Sequence, residues 1–96
     1  MELILKTESK ILGLRETGNR LRKLIESAIQ NNESVLIDFD EVESVSSSFA
    51  DELLAKIYVE IGGEKFTNFI KVKNANEFIK SIINSSIAGR LKESNV

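Results

Sequence analysis

The chain has 96 residues, 42% of them hydrophobic and 29% charged, with a formal net charge of -2. That is the length and composition of a folded chain with one modest core. It has no cysteine and no histidine, which excludes disulfides, thiolate chemistry, a serine–histidine nucleophile and the commonest metal ligand.

A single domain over residues 1–96 is expected, because no proline, repeat or low-complexity tract marks a boundary. The N-terminus, MELILKTESK, has an acid at Glu2 and only a short apolar run, unlike a secretory signal or transit peptide. No apolar run approaches the ~20 residues that span a bilayer. The expected setting is cytoplasmic, with no nucleic-acid or membrane partner and no cofactor.

Residues 2–6, ELILK, read as a short strand with Leu3 and Leu5 on one face and Ile4 on the other. The stretch after them is unassigned, apart from a short strand near Ile11 and Leu12. Leu21, Leu24, Ile25, Ala28 and Ile29 form one helical stripe, which predicts a helix from about Thr17 to Gln30. Gly18 marks its start or a place where another backbone comes close. Arg15 and Arg22, seven apart, share a face if the helix reaches back that far, and suit recognition of an anion or an acidic partner surface. Asn31 and Asn32 end the helix.

SVLIDF comes next as a strand, whose three consecutive apolar residues suit a strand covered on both faces. A second helix is expected from about Ser48 to Ile61, with Ala50, Leu53, Leu54, Ile57, Tyr58 and Ile61 buried and Gly62-Gly63 as its stop. A strand from about Phe69 to Lys73 comes after it. Asn74 then caps a last helix, which contains Gly89 and is expected to break or bend after Ser86. Phe49, Phe66, Phe69 and Phe78 are assigned to the core. The order predicts an α/β sandwich, a mostly parallel sheet of about four strands packed on about three helices.

Residues 33–60 hold eight of the fifteen acids against one base, Lys56. Asp38, Asp40, Glu41 and Glu43 lack the glycine and distal glutamate of a calcium-binding loop, so no metal is expected there. Glycine spacing matches no nucleotide loop. The run Ser46-Ser47-Ser48 precedes the second helix. Its local reading is a helix cap on Ser48, with Asp51 three residues on and Ser46 and Ser47 in the loop. The turn also stands at the carboxyl end of a strand, where α/β sheets meet ligands and partners. A hydroxyl there that became phosphorylated would gain about -1.5 to -2 of charge.

The segment IDFDEVESVSSSFADELL resembles the phosphoacceptor segment of STAS domains, the fold of anti-sigma-factor antagonists. It is more closely similar to a STAS-like family of unknown function with the central pattern LDFxxVxxVSSSFADEL. That family also carries Arg-x-x-Gly-x-x-Leu-Arg, here Arg15 to Arg22. The resemblance runs from about residue 11 to 91. It implies a small non-enzymatic regulatory module of bacterial-type signalling that binds a protein partner, such as a histidine-kinase-like ATPase or serine kinase. It places the phosphoacceptor on Ser47, with Ser48 matching the serine or threonine after it. Ser46 replaces the family's aspartate and Phe49 its glycine. The implied partner surface comprises Asp40, Glu43, Ser46, Phe49, Asp51 and Glu52, with Arg15 and Arg22 as further contacts. Two other readings stand beside it. One is a structural subunit forming a homodimer through apolar helix faces. The other is an enzyme of unrecognised type using Asp38, Asp51 or Glu52.

Overall fold

The three strands of the main sheet are each short, and all of them run the same way. In the computed structural model, which describes residues 2–6 and 9–94, β1 (Glu2–Lys6), β3 (Ser34–Asp38) and β5 (Ile70–Lys73) pair in the order β1-β3-β5. Both pairings are parallel, with Leu3 opposite Val35 and Val35 opposite Ile70. A second parallel pair, β2 (Ile11–Leu12) and β4 (Ser44–Val45), brings Leu12 beside Val45. The fold is therefore a small mixed α/β domain with two parallel sheets of three and two strands, rather than one sheet of about four. Thr7 and Glu8, in the stretch left unassigned by the sequence, lie outside the described residues.

Alternation decides which face of the main sheet is covered. Val35, Ile37 and Ile70 are buried, whereas Leu36 is only partly so and its neighbours Ile4 and Lys71 are exposed. The apolar run 35–37 thus faces the core with two residues only, and the expectation of two fully covered faces is corrected.

Helix α1 (Arg15–Gln30) starts two residues before the predicted Thr17, capped at Leu14 without a side-chain bond. Ile25 and Ala28 are buried, and Leu21 and Ile29 pack at the margin, while Leu24 is exposed at the stripe's edge. Asn32 takes φ 59°, and the Glu33 amide donates to the Ala28 carbonyl at 2.8 Å, closing the helix end. Gly18 is where a second backbone comes close: a Cβ there would stand 2.9 Å from the Phe49 carbonyl oxygen and 3.0 Å from Glu52 Cβ.

That second backbone belongs to a central helix over residues 47–61. It begins as α2 (Ser47–Ala50), passes through a π-helical segment (Asp51–Ala55) and continues as α3 (Lys56–Ile61) without leaving helical dihedrals at the joins. Phe49, Leu53, Leu54 and Ile57 are buried from it. Gly62, at φ 85°, ends it. Gly63 does not extend the stop. It opens a further helix, α4 (Gly63–Phe69), whose Phe66 packs on Tyr58 with ring centroids 5.1 Å apart.

Helix α5 (Glu77–Ser94) is capped by Asn76, whose Oδ1 accepts from the Ile79 amide at 2.8 Å. The cap expected at Asn74 is corrected; that side chain donates instead to Asp38 Oδ1 at 2.9 Å. The helix also runs through Gly89 unbroken. Phe78 is 53% exposed and is not part of the core. Counting the central helix once, the described residues hold four helical rods, one more than the sequence suggested.

Candidate functional site

The serine run occupies the first turn of the central helix, and each of its three hydroxyls has a different fate. Ser46, not Ser48, is the cap. Its Oγ accepts from the Phe49 amide at 3.0 Å and donates to the Gly13 carbonyl at 2.8 Å. Its amide donates to the Leu12 carbonyl at 2.9 Å. Local propensity cannot rank three identical residues; the β2–Gly13 segment lying against Ser46 breaks the tie. Ser46→Ala is expected to cost about 0.5–2 kcal/mol of stability, and Ser48→Ala much less, in paired urea titrations.

Ser47 is exposed and Ser48 half-buried, and neither hydroxyl has a hydrogen-bond partner among the described residues. Both line a groove against α5, together with Arg15, Asp51 and Arg90. Asp51 is the hub of that groove. Arg90 grips its carboxylate with two nitrogens, Nε at 2.9 Å and Nη2, and Arg15 Nη1 lies 3.2 Å away. The Arg90 bond, ahead of the Arg15 bond, holds Asp51 below the usual carboxylate range.

Beneath it, Glu52 is 5% exposed and enclosed by three cations. Arg15 Nη1 and Lys56 Nζ each stand 2.7 Å from Oε1, and Arg22 Nη1 lies 3.0 Å from Oε2. Arg22 Nη1 also donates to the Glu52 carbonyl at 3.1 Å, inside the π-helical segment. The Lys56 bond, then the Arg15 bond, outweigh burial and hold the Glu52 pKa at about 2. Gly18 makes this cage possible, because only a residue without Cβ lets Arg15 and Arg22 approach the central helix from the same face of α1.

Several residues expected on a partner surface are thus placed elsewhere. Phe49 is 1% exposed and belongs to the core; Glu52 is sealed in the cage. Arg15 and Arg22 do meet an anion, but it is the chain's own Glu52. Ser46 is bound on both sides of its hydroxyl. Asp40 and Glu43 are exposed on the loop before β4, with Asp40 Oδ2 3.6 Å from Lys6 Nζ. Asp38 accepts from Asn74 and from the Asp40 amide, bonds that lower its pKa. Among the described residues no three acids gather as a metal-holding group.

The sequence reading missed Arg90 and Lys56. Lys56 carried a local signal, the Glu-to-Lys spacing of four on one helix. Arg90 carried none, since its partner is 39 residues away. A further carboxyl pair, Glu26 and Glu60, lines a separate groove between α1 and α3; burial, and then the hydrogen bond with Glu60, push Glu26 upward.

A family model described as a STAS-like domain of unknown function matches residues 17–80. No curated protein and no solved structure matches the chain. No helix among the described residues is long and apolar enough to cross a membrane.

Proposed function

Because the chain belongs to the family of STAS-like domains of unknown function, we propose that it is a non-enzymatic regulatory module whose partner protein docks around Ser47. The observation that carries this reading is the surface beside that residue. Ile11 and Leu14 are each 67% exposed, and the residues between them, Leu12 and Gly13, are bonded to Ser46. Two large apolar side chains thus flank the segment bonded to Ser46, the residue before the exposed Ser47. Exposed apolar anchors with a polar rim are the usual make-up of a protein-binding surface.

The partner chemistry comes from the STAS likeness: an ATPase-type serine kinase, related to histidine kinases, in the cytoplasm. The kinase would use Ser47 as phosphoacceptor. A non-enzymatic role is supported by the carboxylates the sequence offered. Asp38, Asp51 and Glu52 are all held below their ordinary range by donors, which makes them poor proton donors and weak bases near neutrality.

Charge at Ser47 is expected to matter more than volume. Ser47→Asp should change partner affinity more than Ser47→Ala, with the free fold unchanged. The measurement is calorimetric titration of both variants against the ATPase-type kinase encoded nearest the gene, with mass spectrometry after incubation with that protein and ATP. Equal binding by both variants, with no phosphate on Ser47 or Ser48, would reduce the serine run to a helix cap.

A further inference from the structure

We infer that a phosphate on Ser47 is read inside the chain: it takes Arg90 from Asp51, one turn along the same helix, and this re-seats the last turns of α5. The inference rests on the reading of Ser47 as phosphoacceptor. The chemical step transfers the γ-phosphoryl group of ATP to Ser47 Oγ. The bond from that phosphorus to the bridging oxygen of ADP breaks, and the hydroxyl proton passes to the kinase's base.

Geometry determines which arginine responds. Ser47 and Asp51 are four residues apart at the start of one continuous helix, so they share a face. The same groove holds Arg15, Arg90 and, on its rim, Glu93. A phosphate of about -1.5 to -2 placed there meets a like charge at Asp51. Asp51 now holds Arg90 through two nitrogens and Arg15 through one. The phosphate offers a guanidinium the same bidentate geometry with more charge. Arg15 remains tied by its 2.7 Å bond to Glu52. Arg90 reaches Asp51 from α5, so its transfer is the one that moves the end of α5.

The part that moves is the end of α5. The first half of that helix is anchored by Ile79 and Ile83, both buried. Beyond them Ile87 is half-buried, Leu91 is 37% exposed, and Gly89 has open space around it and lowers helix propensity. The Arg90–Asp51 bond joins this weakly packed part to the central helix. Its exchange, with phosphate repelling Glu93, alters the order of residues 85–94 without disturbing the core.

The test installs phosphoserine at position 47 during synthesis, by amber suppression, so that no kinase is needed. Phosphorus NMR then tracks the second ionisation of the phosphate, and hydrogen exchange tracks residues 85–94. The expected result is a second pKa lower by about one unit or more than in the urea-unfolded chain, with exchange in 85–94 changed from that of the unmodified protein. Arg90→Gln should remove most of the shift, and Arg90→Lys should keep part of it. An unshifted phosphate, a shift that survives Arg90→Gln, or unchanged exchange would overturn the inference. Failure of the kinase to modify Ser47, with the installed phosphate still shifted, would count against the partner reading alone.

Discussion

Glu52→Ala is expected to destabilise the protein by about 3–5 kcal/mol, a large share of the ~5–15 kcal/mol that holds a typical domain together. The magnitude comes from the groups left behind. With the carboxylate gone, Arg22, whose side chain is 14% exposed, keeps only the Glu52 carbonyl and a 3.9 Å contact with Glu26. Its Nε already lacks a hydrogen-bond partner. Lys56 loses its ion pair, and Arg15 keeps only Asp51. Denaturant unfolding with an unchanged slope measures the loss; a cost under about 1 kcal/mol would mean that the cage is ornamental to stability.

The same residue sets an acid limit. Its folded pKa of about 2 lies below the ordinary 4.5. The unfolded chain therefore binds the proton more readily. The stabilisation is fully present above pH 4.5 and is lost as pH falls through the folded value. The gap between the wild type and Glu52→Gln should narrow steadily over that interval, and a gap independent of pH would contradict the assignment.

Leu53→Ala should cost about 2–5 kcal/mol. Leu53 is 1% exposed, and its amide nitrogen would lie 3.4 Å from a Cβ at Gly18. The helices on either side are already as close as their backbones allow near Phe49. They have little room to close over the cavity, which favours the upper part of the range. Leu91→Ala, on the exposed end of α5, should stay within about 0.5 kcal/mol. Equal losses from the two substitutions would place the core elsewhere.

The elements built from local pattern were legible in the sequence. The stripe of α1, the alternation of β1 and the stop at Gly62 all come from period and backbone freedom, while the pattern leaves Gly18 open between a helix start and a close approach. The family resemblance was legible too, because SSSFADEL is a short run of specific residues. Features decided by distant partners were not legible. Ser46 caps because Gly13 lies against it. The π-helical segment has no period of its own in five residues. Helix α4 was hidden because Gly62-Gly63 read as one stop, although Gly63 starts a new turn. Phe78 looked like core from its chemistry, but Ile79 and Ile83 set the inward face of α5. Asp51 and Glu52 looked like a surface acid pair, because nothing nearby in sequence announces that Arg15, Arg22 and Arg90 converge on them.

The order β1-β3-β5 also governs how the sheet is assembled during synthesis. β3 is the only strand of the main sheet that touches both others. Each ladder is parallel, so each closes only after a long crossover has been laid down, with its entropy cost met first. Once β3 is free to pair with β1, its far edge still waits for Lys73, made 35 residues after Asp38 (73 minus 38). At ~5–20 residues per second that wait lasts roughly 2–7 s. Throughout it, Val35 and Ile37 lie along an open edge, the arrangement most prone to pairing with another chain. The finished edge strand β5 carries Lys71 and Lys73, charges that disfavour such pairing in the mature protein but arrive last. Chains with β1 and β3 paired but β5 not yet added are therefore the species expected to be most prone to aggregation in this fold.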